Sequence, residues 1–302
     1  RVTQDGSSWN DGDKIGTYVL DMKTLEPVTE AANVPYVCSE EGASVSFTST
    51  TPLKVQNDGT PVKFVAYYPY NADVRNFNYP VQLAAQERGS TACDLLYAAT
   101  KEEYTYSPEN EPHISLNFTH RLAKVILKFV NMEKEPLEVS DVRIEGMQTA
   151  ASFNIQTDVL TVDESSVATI NPYHNATTGF YEAIILPSAL TDSYKVSFVL
   201  DDREKEWIFT NLDIALPQFH KGYSYTFALY IDDSGFVEIG RLENVEGGNS
   251  SAPWEDGSSE DGTAEGDKTP VSGYAFTPAD GTQQALADTE LKIAFEGTAP
   301  EL

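Results

Sequence analysis

Four histidines, His113, His120, His174 and His220, are where acid–base or metal chemistry would have to start in this chain. None stands in an HExxH pattern or in another spacing that would bring two imidazoles onto one ion. The serines form no GxSxG elbow, and the glycines form neither GxGxxG nor GxxxxGK[ST], the loops that cradle phosphates. Cys38 and Cys93 are the only cysteines. With no CxxC and no Cys/His cluster, a zinc site is not expected. The two either pair in an oxidising compartment or stay as inert buried thiols. Asp201-Asp202 and Asp232-Asp233 fall at the ends of strand-like runs, where neighbouring side chains point apart. They read as solvated turns, not as convergent carboxylates. A calcium loop fails too. With Gly266 in the sixth position, Asp261, Thr263 and Glu265 occupy the first, third and fifth, but the twelfth is Ser272 where an EF-hand needs Glu. The expectation is no enzyme: no catalytic residue, no cofactor and no metal.

Charge narrows the partners. The 302 residues hold 47 acidic and 20 basic side chains, a formal net charge of -27. Such a chain repels phosphate backbones and anionic membrane surfaces, which argues against nucleic acid as a partner. No apolar run approaches the roughly 20 residues of a membrane helix, so direct membrane insertion is not expected. The tyrosines of "YYPY" at 67–70 and "YTY" at 104–106 have the rings to stack on sugars. Tyrosine is also a strand former, and packing on a sheet is the stronger expectation.

The elements that position these residues are strands. "HKGYSYTFALYI" places Tyr223, Tyr225, Phe227, Leu229 and Ile231 on one face, and "YKVSFVLDD" does the same with Tyr194, Val196, Phe198 and Leu200. "VKFVAYYPY" is nearly continuously apolar and stops at Pro69, as a central strand would. "TACDLLYA", 91–98, is the best helix candidate in a chain with little helical period. Many short strands separated by turns predict an all-β chain of β-sandwiches. One strand breaks its own rule. In "LNFTHRLAKVILKF", residues 116–129, Leu116, Phe118 and Leu122 lie on even positions, whereas Ala123, Val125, Leu127 and Phe129 lie on odd ones. A shift of one residue swaps the buried face, so a bulge, a kink or a crossing between two cores is expected between Phe118 and Ala123. His120, which sits with Arg121 beside that switch, could be a site residue but reads rather as a partly buried histidine that hydrogen-bonds the backbone at a bulge.

Residues 246–270 are rich in Gly, Ser and acids and read as a linker. Beyond them "TELKIAF" alternates Leu291, Ile293 and Phe295. About 30 residues cannot bury a core alone. This strand is expected to lean on another surface: the second sandwich, a neighbouring molecule or a continuation of the chain.

Several stretches, taken in order, resemble the fimbrillin-like family. "SSWNDGDKIGTYVL" is similar to its W-x-x-GD-x-IG-x-Y signature, and "FVAYYPYNADV" to its F-x-A-Y-Y-P-Y segment. "DLLYA", "LNFTHRLAKVILKF", "EAIILP" and "GYSYTFALYI" follow in the family's order, covering residues 1 to about 255. These are type V pilus subunits and surface adhesins of gut and oral Gram-negative bacteria. The resemblance implies two consecutive transthyretin-like β-sandwich domains, placed here at 1–113 and 114–250. The acidic linker then spans 251–270. Residues 271–302 form an appended strand or the start of an Ig-like module.

The resemblance also implies an exported lipoprotein precursor at the outer membrane, with neighbouring pilus subunits, a donor strand, or a host protein or glycan as partners. Polymerising members are cut after an arginine, losing a strand that another subunit then replaces. Arg1 either marks such a cut or simply opens the sequence. "TPADGTQQALADTELKIAFEGTAP" departs from that scheme and resembles the opening of a bacterial Ig-like module of the kind found ahead of pectin-degrading domains. A shaft subunit should end in its donor strand, so the added module points to a tip subunit or a modular adhesive or spacing protein. The alternative is a carbohydrate-binding accessory region of a larger polysaccharide-degrading surface protein.

Overall fold

A computed structural model describes residues 8–28, 32–42, 44–55, 58–105, 116–131, 133, 135–209, 218–232, 237–238, 255–256, 276–278 and 293–298. Among them the only helical element is one 3-10 turn, Ser90–Ala92. The first half holds β1 (Lys14–Asp21), β2 (Val34–Cys38), β3 (Ser44–Thr48), β4 (Val62–Tyr68), β5 (Asn78–Gln82), β6 (Leu96–Ala99) and β7 (Thr119–His120). The second opens with β8 (Ala123–Asn131), β9 (Ser140–Glu145), β10 (Ala150–Asn154), β11 (Val159–Val162), β12 (Tyr173–Asn175) and β13 (Phe180–Ile185). It continues with β14 (Ser188–Ala189), β15 (Lys195–Leu200), β16 (Arg203–Ile208), β17 (Gln218–Phe219), β18 (Tyr223–Ile231) and β19 (Val237–Glu238). Three later strands complete the set: β20 (Glu255–Asp256), β21 (Phe276–Pro278) and β22 (Ile293–Thr298). The all-β expectation holds. The helix expected at 91–98 does not form: the 3-10 turn ends at Ala92 and the chain enters β6, where Leu96 to Ala99 pair with β4. The apolar pattern of Leu95 to Ala98 serves two faces of a sheet, not one face of a helix.

The largest sheet runs β21-β22-β3-β2-β1-β4-β6-β7. Its central strands are apolar on both faces, which is why "VKFVAYY" shows no alternation. Val62, Phe64, Ala66 and Tyr68 enter one core with Val19, Leu96, Trp9 and Phe118. Val65 and Tyr67 enter another with Tyr18, Leu20 and Tyr97. The second half makes its own sandwich. The sheet β12-β13-β8-β18-β19 faces β16-β15-β9 across Val125, Leu127, Phe198, Trp207 and Phe227.

The strand with shifted parity resolves at Arg121 and Leu122. Before them β7 pairs with β6 in the first-half sheet; after them β8 lies between β13 and β18. Leu116 and Phe118 join the first core, and Ala123 to Phe129 join that of the second half. The crossing is tied on both sides: Arg121 N–H donates to Leu95 O at 2.9 Å, and Leu122 O accepts from Gly222 N–H at 2.7 Å.

Between these two cores lies a third, which the sequence reading did not foresee. β5 of the first half pairs with β10 of the second, Tyr79 opposite Phe153, in a three-stranded sheet β11-β10-β5. That shared sheet covers Tyr18, Tyr67, Tyr97, Leu122, Phe153 and Ile184. The expected boundary near residue 113 lies outside the described residues, as do 251–254 and 257–270 of the expected linker; within that linker Glu255–Asp256 form β20, which pairs in parallel with Tyr223 and Ser224 of β18.

Candidate functional site

The residues singled out for chemistry are dispersed. His120 is buried and meets the buried Asp94, with Nδ1 2.7 Å from Oδ1. A His–Asp pair is part of a catalytic triad, but the side chains here are 0% and 3% exposed, so substrate cannot reach them. The partner is a carboxylate and not the backbone bond anticipated. His174 is exposed and stacks on Tyr181 at 4.6 Å, while His220 is exposed beside Gln218. His113 and Asp233 lie outside the described residues, as does the tested calcium loop. Asp201 and Asp202 form the exposed β15–β16 turn with φ of 49° and 59°, the left-handed pair that a tight hairpin turn demands. Among the described residues no group of three His, Cys, Asp or Glu could hold a metal ion. Cys38 and Cys93 are thiols, with no disulfide between them. Cys38 belongs to the first core, its Sγ 2.9 Å from Asn10 O, and Cys93 sits against the third. Tyr67 and Tyr68 are buried, so they pack and do not present rings to a sugar. Arg1 lies outside the described residues.

Polar side chains do meet at the junction of the two halves. Arg121 at the crossing forks onto Asp158 in the β10–β11 turn, at 2.5 and 3.0 Å, with its guanidinium over the Tyr97 ring. Lys124 of β8 pairs with Glu182 of β13 at 2.8 Å, both nearly inaccessible, and Asn175 Nδ2 donates to the other Glu182 oxygen at 2.8 Å. Gln86 acts as a strand partner. Its Oε1 accepts from Ile184 N–H at 2.8 Å and its Nε2 donates to Ile184 O at 2.7 Å, across 98 residues of chain. Buried charge is tolerated only when paired in this way. Arg121 over Tyr97 and Gln86 with Ile184 tie the two halves, Lys124–Glu182–Asn175 lies within the second-half sheet, and none of the three is an open reaction centre.

The W-x-x-GD-x-IG-x-Y residues now have physical reasons. Trp9 is buried edge-on against Phe47, Tyr68 and Phe118. Gly12 turns with φ +82°. Asp13 accepts from Tyr68 Oη–H at 3.0 Å and from Asn10 N–H at 2.9 Å. Gly16 lies against the Tyr67 ring, where a Cβ would come within 2.2 Å. Tyr18 sits in the third core, and burial pushes its hydroxyl up to about 12.

The remaining chemistry-bearing feature is a sheet edge. β3 is met on its outer side by β22, with Phe295 opposite Phe47 and Gly297 opposite Val45. The tail strand therefore docks on the first-half sheet, a surface not among those anticipated, and it starts at Ile293, later than expected.

An all-β body whose polar pairs lie buried in its packing defines a structural protein class. A fimbrillin-like family profile matches residues 1–254, and the chain belongs to that family. A Bacteroides uniformis protein with a provisional assignment to cell adhesion is similar in structure, with TM-score 0.67 and 24% identity over 80% of this chain and 94% of that one. A Bacteroides ovatus protein with the same provisional assignment gives TM-score 0.57 and 15% identity over 78% of this chain and 87% of that one. At these identities the likeness carries the fold. No curated protein matches.

Proposed function

We propose that this chain is a cell-surface structural or adhesive protein of the fimbrillin type, serving as a pilus subunit, tip protein or adhesin. The observation that carries the reading is the family match across residues 1–254, on a body in which the buried pairs His120–Asp94 and Lys124–Glu182 serve packing. The similar Bacteroides proteins and their provisional assignment to adhesion support it. A net charge of -27 suits an exposed, soluble surface. Export as a lipoprotein precursor, maturation at Arg1 and partnership with neighbouring subunits through strand exchange belong to this proposal and rest on the family resemblance. The ligand is a host protein or glycan. The chain would meet it through loops, because Tyr67 and Tyr68 are buried in the cores and Tyr70 and Tyr104 pack, partly buried, against them; Tyr106 lies outside the described residues.

The reading is tested on intact producing cells. Antibody against residues 1–254 should label unpermeabilised cells, and external protease should remove the label. Label appearing only after permeabilisation would reject it. Sugar release from pectin by the purified chain would reject the non-enzymatic part.

A further inference from the structure

We propose that the outer edge of β3 is a strand-acceptor surface that the chain closes in cis with its own C-terminal hairpin, β21–β22. β3 contributes Val45 and Phe47, 2% and 1% exposed, to the core around Trp9, so it cannot be shed without opening that core. Yet β2 holds it through two residue pairs, Val37–Thr48 and Cys38–Phe47. Its other side would present unpaired backbone groups beside buried apolar residues, the kind of edge that recruits foreign strands. β22 covers this side over four pairs, from Phe47–Phe295 to Ser44–Thr298, and β21 pairs with β22 behind it.

Two observations favour the chain's own strand over a neighbour's. A strand carried on the same chain meets β3 at an effective concentration that separate chains in dilute solution do not reach. Two copies, each with formal charge -27, also repel. The capped chain therefore stays closed until its tail is displaced, and the inference stands independently of any adhesive ligand.

The register supplies the test. Cys38 N–H bonds to Asp13 O on the β1 side, and Ser46 N–H bonds to Glu40 Oε1. Alternation then places Ser46–Glu296 and Ser44–Thr298 at non-hydrogen-bonded positions with β22, where Cα atoms lie about 4.5 Å apart, within disulfide reach. Full-length S46C/E296C and S44C/T298C chains are oxidised at low micromolar concentration, with S46C/T298C as the off-register control. The expected result is a disulfide within one chain, mapped by mass spectrometry to the introduced thiols, forming at least tenfold faster in the two on-register variants. The oxidised S46C/E296C chain should then exclude a labelled peptide of residues 291–299, which the reduced chain binds at least tenfold more tightly. Disulfide-linked dimers would overturn the proposal by assigning the strand to a neighbour. Absence of any disulfide in both on-register variants would overturn it by removing β22 from β3. Equal peptide binding by oxidised and reduced chains would overturn the acceptor role.

Discussion

Phe153→Ala tests whether the third core couples the two halves. Phe153 is fully buried on β10, opposite Tyr79 of β5 and Leu160 of β11, with its ring edge-on to Tyr97 of β6 at 5.5 Å. Truncating a buried Phe costs about 3–5 kcal/mol through lost transfer energy and the cavity left behind. Roughly 0.5–1.5 kcal/mol of that belongs to the edge-on pair with Tyr97. Because the ring touches elements of both halves, the loss should fall on both. Native-state hydrogen exchange reads this strand by strand. Amides of β4 in the first half and of β15 in the second should lose the same ~3–5 kcal/mol of protection. If β15 keeps its protection while β4 loses it, or the reverse, the halves unfold separately and the shared core does not couple them.

Other expectations are as direct. Lys124→Met leaves Glu182 as a buried charge without its ammonium partner and should destabilise by about 3–5 kcal/mol, with the Lys124→Met/Glu182→Gln double variant recovering part, measured by urea denaturation. Gly146→Ala should destabilise more than an exposed substitution, because φ is +88° and the new Cβ would lie 1.9 Å from Ser193 O; thermal melting checks it. Burial raises the hydroxyls of Tyr18, Tyr36, Tyr67, Tyr79 and Tyr97 above their ordinary range, Tyr18 to about 12. Unfolded tyrosines ionise near pH 10. The stability these groups contribute is thus fully present below that pH and is lost as pH rises through their folded values. Ultraviolet titration should find them protonated in the native chain at pH 11, ionising only as the fold is lost.

How much of this was legible follows from particular residues. The parity change at 118–123 announced the crossing because strand period 2 converts a one-residue shift into a change of core. The fold class came from the alternation of Tyr225 to Ile231 and of Tyr194 to Leu200. The third core left no such trace. Phe153 and Val81 alternate like any half-buried strand, and nothing local says that β5 should pair across the chain with β10. The polar pairs were equally silent: Asp94 finds His120 across 26 residues and Gln86 finds Ile184 across 98, distances over which sequence spacing carries no geometry. "TACDLLYA" was misread because a central strand apolar on both faces loses its alternation and can mimic a helical stripe. The tail strand was visible as an alternating run, but its partner was not, since register with β3 is a tertiary choice.

Adherence is the most direct measure of the central claim that this is an adhesive surface protein. Cells carrying the gene, cells lacking it and complemented cells are applied to a surface of immobilised host glycoproteins, with purified full-length chain as competitor. The account predicts reduced attachment on deletion, recovery on complementation and dose-dependent inhibition by the purified chain. Equal attachment by all three strains, unmoved by competitor, would contradict it.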